Sequence, residues 1–195
     1  MTEQKTGDLP ILLFLDQPAF EAWLQNHQSI EKGVRLKLAK KGSGETSIDY
    51  AGAVESALCY GWIDSQAFSL DGQYYLQKFT PRKPRSKWSK LNCEKAETLI
   101  ASGRMQPSGY RQVQLAKEDG RWEAAYDPQS QIAVPQDFQI ALDENQKAQE
   151  FFSTLNSINR YAILHRLQDA KKPETRASRI KKFIDMLANS QKIYP

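Results

Sequence analysis

The sequence predicts an α+β protein: an N-terminal α+β region with a β-hairpin, followed by a C-terminal all-helical bundle. Three observations support this fold class. Residues 34–38 alternate apolar and basic side chains, as in a half-buried strand. Two strand-like runs, 62–70 and 73–80, flank Asp71-Gly72, a dipeptide typical of tight hairpin turns. After residue 135, apolar side chains recur at every third or fourth position, as amphipathic helices require.

The first elements follow from capping signals. Residues 10–15 predict a short strand, and Asp16 is placed to be the N-cap of the helix after it. Beyond the strand at 34–38, Thr46 and Asp49 fit a capping box, and Gly61 is placed to end the helix that they open.

The Asp71-Gly72 turn also predicts how the hairpin at 62–80 is paired. Counting outward from a two-residue turn, Asp64 lies opposite Phe79 and Gln66 opposite Gln77. Alternation along each strand then places these side chains on one mixed face. The opposite face is the predicted core face, with Ile63, Ala67, Tyr74 and Leu76.

The pattern is helical from Ser86 onward. Ser86 or Ser89 is placed to cap the first of these helices, and Pro107 opens the second. Residues 121–134 are irregular and predict a linker between an α+β domain at 1–120 and a helical region at 135–195. The predicted C-terminal helices begin at Pro135, span about 145–170 with a break near Asn156, and span about 173–188.

Positive charge is concentrated in one segment of the chain. Residues 72–93 hold six of the 27 basic residues and none of the 23 acidic ones, although the net charge is only +4. Two prolines stiffen this stretch, and its basic segment at 78–90 includes a helix start whose N–H groups suit an anion. We predict a site for an anionic small molecule or polyanion, with the ligand-binding residues Asp64, Gln66, Arg82, Lys83, Arg85 and Trp88.

A structural explanation of the same residues stays open. Arg82 and Arg85 would then pair with the protein's own acids, Asp64 among them, and Trp88 would belong to the core. Asp64 with Gln66 would likewise form a hydrogen bond within the hairpin rather than line a ligand pocket.

Other functions rest on thinner signals. Residues 160–182 form a second basic region, with eight basic and two acidic residues. Nucleic-acid binding through both basic regions is therefore an alternative function. The structural explanation of the second region is a solvated outer face of the helices. A further alternative is that the protein is an enzyme in which Asp64 acts as a general acid or base. The two histidines and two cysteines show no metal-site spacing, so no metal or cofactor is expected. Sparse cysteine and the lack of a bilayer-spanning apolar run predict a cytoplasmic protein without a membrane span.

Several stretches of sequence are distinctive. They read GVRLKLAKKG at 33–42, ALCYGWID at 57–64, YYLQKFTPRKPRSKWS at 74–89, NRYA at 159–162 and AKKPETR at 170–176. In these stretches the chain resembles the bacterial YdeI/OmpD-associated family, whose members are described as bacteriocin-protection proteins. The resemblance implies a role in tolerance of antimicrobial peptides or in a stress response, and it implies no catalytic residue and no cofactor.

Overall fold

The computed structural model describes residues 9–27 and 32–195. The chain forms two compact units: residues 1–88 together with 92–124, and residues 89–91 together with 125–195. The sheet lies in the first unit, and the second unit is helical, so the predicted α+β class is confirmed.

The first unit is built on a four-stranded sheet in the order β1-β2-β4-β3. Strand β1 pairs with β2 in parallel, whereas β4 is antiparallel to both β2 and β3. The strands are β1 (Ile11–Leu12), β2 (Val34–Ala39), β3 (Trp62–Ser69) and β4 (Tyr74–Pro81). The helices are α1 (Gln17–Asn26), α2 (Tyr50–Cys59), α3 (Lys90–Ala101, whose first two residues lie in the second unit) and α4 (Pro107–Glu118).

Helix α1 covers the inner face of the sheet. The rings of Phe20 and Phe79 lie 5.8 Å apart, and those of Trp23 and Trp62 are also 5.8 Å apart. Val34, Leu36 and Leu38 point to this face and are buried, whereas the residues between them are half-buried. The predicted alternation of β2 is therefore confirmed, and it leaves the basic side chains of β2 on the outer face.

The helix starts test the capping predictions. Asp16 is the N-cap of α1, where its Oδ1 accepts a hydrogen bond from the Ala19 N–H at 2.9 Å. The proposed capping box is wrong, because Asp49 itself is the N-cap of α2 and its Oδ1 accepts from the Gly52 N–H at 2.7 Å. The strand predicted at 10–15 is confirmed only at its two-residue centre, β1.

The hairpin exists, but its predicted register is wrong except at Asp64–Phe79. Asp71 Oδ1 accepts hydrogen bonds from the backbone N–H groups of residues 73 and 74, so the side chain widens the turn and β4 begins only at Tyr74. Ser69 then pairs with Tyr75 and Ala67 with Gln77. A bulge between Asp64 and Ala67 then brings the pairing back to the predicted register at Asp64–Phe79.

The side chain of Gln77 forms a hydrogen bond with the bulged segment. This residue is 4 % exposed and lies opposite Leu36 on the inner face, so a buried polar side chain shares that face with apolar ones, and the prediction of a mixed face is confirmed. Its amide Nε2 donates to the Ser65 carbonyl at 3.1 Å, which gives a hydrogen bond to a buried polar group. Tyr74 and Leu76, from the predicted core face, are buried as predicted, although they lie on the outer face of the sheet, which also carries the basic residues of β2.

The second unit packs four helices around one apolar core. Helix α6 ends before Asn156, the predicted break, and the Asn156 side chain caps α7 by accepting from the Asn159 N–H at 2.9 Å. The core is formed by Phe138, Leu142, Phe152, Ile163, Leu164, Leu167, Phe183 and Leu187. The helices are α5 (Gln136–Asp143), α6 (Gln146–Thr154), α7 (Ser157–Gln168) and α8 (Pro173–Ala188).

Candidate anion-binding groove

A groove of about 880 Å³ lies against the outer face of the sheet in the first unit. Half of the described residues that line it are basic, and none of those described residues is acidic. Among these residues the charge is all positive, and a surface of that kind attracts anions. We call it the basic groove. Its basic residues are Lys32, Arg35, Lys78, Arg82 and Lys83, and its neutral ones are Leu9, Ser65, Thr80, Pro81 and Pro84.

Two of the cations lie directly opposite each other in the sheet. Arg35 of β2 and Lys78 of β4 are Cα partners across the antiparallel pair. Side chains at such positions have their Cβ atoms only about 5 Å apart, and like charges placed there are destabilising. No ion pair joins either side chain to a carboxylate among the described residues. The sheet thus holds two neighbouring positive charges without a neutralising partner of its own.

Arg35 is held in place by an aromatic ring. Its guanidinium carbon lies 5.0 Å from the centre of the Phe68 ring, and its backbone N–H donates to the Pro10 carbonyl at 2.9 Å. Its buried Nε has no hydrogen-bond partner in the part of the chain that the structure describes. A guanidinium oriented by a ring is suited to binding a planar or tetrahedral anion.

Arg82 lies at the other end of β4 and is 6 % exposed. Its guanidinium carbon sits 3.6 Å from the centre of the Trp88 ring, and Nη1 donates to the Lys87 carbonyl at 3.1 Å. Trp88 is 2 % exposed and packs on Trp122 at 5.0 Å between ring centres. Arg82 therefore covers the flat face of Trp88, which the sequence analysis had assigned to ligand binding. Arg82 itself lines the basic groove.

The loop after Arg82 is fixed by its own hydrogen bonds. The Ser86 Oγ accepts from the Lys83 N–H at 2.9 Å, and the Ser86 N–H donates back to the Lys83 carbonyl at 2.9 Å. Arg121, from the same unit, donates to the Ser86 carbonyl at 2.9 Å. Lys83 is exposed at the edge of the basic groove, so a rigid backbone presents its flexible charged end.

The remaining predicted site residues lie outside the basic groove. Asp64 accepts a hydrogen bond from the Tyr50 hydroxyl at 2.7 Å and forms no ion pair with Arg82 among the described residues. Gln66 is exposed within the bulge of β3, and Arg85 is exposed on the loop. Of the six residues predicted from sequence, only Arg82 and Lys83 line the groove.

The arginines of the second basic region are largely used within the second unit. Arg166 and Arg179 donate to backbone carbonyls of α7, and Arg160 lies over the Phe152 ring at 4.4 Å. Arg176 forms an ion pair with Asp137, and this hydrogen-bonded partner lowers the pKa of Asp137. These contacts favour a structural role for the arginines and leave the lysines at 171, 172, 181 and 182 exposed.

Groups for nucleophilic or metal chemistry are sparse. Burial raises the pKa of the Cys59 and Cys93 thiols to about 11 each, and both are free. Within residues 9–27 and 32–195, no three histidine, cysteine or carboxylate side chains converge as metal ligands. None of the helices described there is long and apolar enough to cross a bilayer.

Sequence reasoning missed the Arg35–Lys78 pair, although both signals were present. The alternation of 34–38 already placed Arg35 on the polar face of its strand, and Lys78 already belonged to the basic segment. What was missing was the β2–β4 pairing, because these strands are separated by a helix and by β3. Their neighbourhood is a long-range contact that no local pattern predicts.

Comparison with known families divides the chain in two. Residues 12–112 match the model of a domain of unknown function (DUF8412), and residues 131–190 match the model described as Bacteriocin-protection, YdeI or OmpD-Associated. The predicted resemblance to the latter family is confirmed for 131–190, whereas the motifs between 33 and 89 lie within the other match. No curated protein and no solved structure matches the chain.

Proposed function

The chain belongs to the DUF8412 domain family over residues 12–112, and the description of that family names no activity. We therefore propose a function from the site itself: the protein binds an anionic ligand in the basic groove. The observation that supports this most strongly is the Arg35–Lys78 pair, two cations opposite each other with no ion-paired carboxylate among the described residues. Lys83 and Lys32 add charge to the same groove.

The physical argument rests on the cost of this arrangement. Like charges directly opposite in a sheet reduce stability. A bound anion removes the repulsion and gains charge-assisted hydrogen bonds from both side chains. Residues that lower stability but serve binding are typical of functional sites.

The C-terminal family match gives the binding a context. We propose that the protein contributes to bacteriocin tolerance indirectly, through its anionic ligand, rather than by binding a cationic peptide. A chain of net charge +4, whose groove has no acid among its described lining residues, repels such peptides.

Thermal unfolding at constant ionic strength tests the proposal. The probes are inorganic phosphate, sulfate and citrate, each compared with chloride. A ligand that binds only the folded state at about 100 times its dissociation constant stabilises by about 2.7 kcal/mol, or about 5 to 10 °C in a chain of this size. Lys78→Gln should lose most of this shift in melting temperature. Lys37→Gln should keep it, because Lys37 lies on the same face of the sheet but outside the groove.

Two results would overturn the proposal. One is that no anion raises the melting temperature above the chloride control. The other is that Lys78→Gln and Lys37→Gln respond to anions alike, because both remove one positive charge and only their position differs.

A further inference from the structure

The cations of the basic groove are arranged in a row rather than in a cluster. Lys78 and Thr80 are alternate residues on the outer face of β4, and Arg82 continues the alternation directly after the strand ends at Pro81. Four residues of extended chain span about 13 Å, so the Cα atoms of Lys78 and Arg82 lie further apart than the width of one tetrahedral anion. The Arg35–Lys78 pair therefore marks one end of the row, and Arg82 with Lys83 marks the other.

Lys32 lies at the level of the middle of this row. Its neighbour Gly33 has φ +94°, and a Cβ built there would lie 2.3 Å from the Phe79 carbonyl oxygen and 2.7 Å from Thr80 Cγ2. Only glycine allows the chain to approach β4 so closely. This contact positions the backbone next to Lys32 against Thr80, midway between the two ends.

The walls between these cations are neutral. Ser65, Thr80 and the two prolines that line the groove offer hydroxyls and apolar surface but no counter-charge. A single phosphate or sulfate bound by Arg35 and Lys78 at one end of such a row leaves Lys83 at the other end without contact to the ligand. A ligand that carries a negative charge on each of several linked groups neutralises the whole row.

We propose that the ligand of the basic groove is an extended chain of phosphoryl groups, bound at one end by Arg35 and Lys78 and at the other by Lys83 beside Arg82. This inference rests on the proposed anion-binding function and specifies the class of its ligand. Among anions of biological chemistry, linked phosphoryl groups place one charge at each repeat along a narrow chain. That spacing of charge matches a row of cations along a strand.

The test is a length series of inorganic phosphates bound to the full chain at constant ionic strength, measured by calorimetry. The probes are orthophosphate, diphosphate, triphosphate and a longer linear polyphosphate. Affinity should rise at each step until the chain spans the row. If each added contact is worth a charge-assisted hydrogen bond, the gain is about tenfold or more for the step that reaches Lys83.

Two variants separate the ends of the row. Lys78→Gln should weaken binding of every member of the series, whereas Lys83→Gln should weaken only the long members, by about tenfold. Arg85→Gln is the matched control, because Arg85 is exposed two residues from Lys83 but does not line the groove. It removes the same charge from the same loop and should leave the whole series unchanged.

The outcomes distinguish this inference from the proposed function. If orthophosphate and longer chains bind equally tightly, the site holds a single anion and the inference is wrong, while anion binding stands. If no member of the series binds, the inference is wrong, and the proposed function fails as well only if sulfate and citrate also leave the melting temperature unchanged. If a single-stranded oligonucleotide binds more tightly than polyphosphate at the same ionic strength, the ligand is a nucleic acid and the inference is overturned.

Discussion

Removing the charge of Lys78 should make the protein more stable, although the residue lies in the candidate site. Lys78 is half-buried opposite Arg35 in the β2–β4 pair, and neither has an ion-pairing carboxylate among the described residues. In Lys78→Gln the side chain keeps most of its length and its polar end but loses the repulsion from Arg35. Most substitutions of half-buried residues destabilise, so a gain in stability is a specific expectation.

The size of the gain follows from the geometry. Charged pairs directly opposite in an antiparallel sheet change stability by about 0.2–1 kcal/mol. In a chain of this length, 1 kcal/mol shifts the melting temperature by about 2–4 °C, so Lys78→Gln should raise it by roughly 0.5–4 °C. Both side chains border an open groove, and salt therefore screens the repulsion and should reduce the gain.

Urea unfolding of the two proteins at low and high salt measures this difference. Lys37→Gln is the control, because Lys37 lies opposite Leu76 and its Nζ sits 4.0 Å from the centre of the Tyr74 ring. That variant loses a favourable contact and should not gain stability. The reasoning is refuted if Lys78→Gln is less stable than the wild type at low salt, or if its gain is unaffected by salt.

Three further predictions concern the body of the protein. Because burial raises the pKa of Cys59 and Cys93 to about 11, neither thiol should react with a disulfide reagent at mildly alkaline pH until the chain unfolds. Arg176 holds the pKa of Asp137 below its usual value, so the stability that Asp137 adds is present at neutral pH and lost as the pH falls through that lowered pKa. Asp137→Asn should therefore be less stable than the wild type at neutral pH, with a difference that shrinks in acid when urea unfolding is compared. Gly109→Ala should destabilise by about 1–3 kcal/mol or more, since its Cβ would lie 2.2 Å from the Cys59 carbonyl oxygen.

Each of these predictions has a control. Gly72→Ala should be nearly neutral, since a Cβ there meets no atom within 4 Å, and an equal loss in both glycine variants would contradict the packing argument. Rapid labelling of either thiol in the native protein would contradict the burial of Cys59 and Cys93. A difference between Asp137→Asn and the wild type that stays constant from neutral to acidic pH would show that the ion pair with Arg176 does not contribute.

Local signals predicted the elements well, but they did not predict how the hairpin strands pair. Asp16, Pro107 and Asn156 mark helix ends because a cap or a proline acts within one turn of its own position. The register failed at Asp71, where a side chain took over hydrogen bonds that a two-residue turn leaves to the backbone. The buried amide of Gln77 donates a hydrogen bond to the Ser65 carbonyl within the bulge, and this contact depends on the packing of the inner face.

The site predicted from sequence and the basic groove overlap in one segment, but they share only Arg82 and Lys83. A basic and aromatic stretch indicates where cations are, but not which of them the fold needs for itself. Arg82 and Trp88 share a buried contact at 3.6 Å, because an aromatic face stabilises a guanidinium that is removed from water. Arg35, from a strand far away in sequence, supplies the charge next to Lys78 instead.

The position of the basic groove separates two questions about this protein. Every cation of the groove lies between residues 32 and 83, within the match to the domain of unknown function and outside the match at 131–190. If the anion binds as proposed, Lys78→Gln removes binding without altering the helical unit that matches the bacteriocin-protection family. If the protein contributes to bacteriocin tolerance as proposed, a cell that carries this variant and keeps its tolerance would show that tolerance does not need the ligand of the first unit. Loss of tolerance would show that it does.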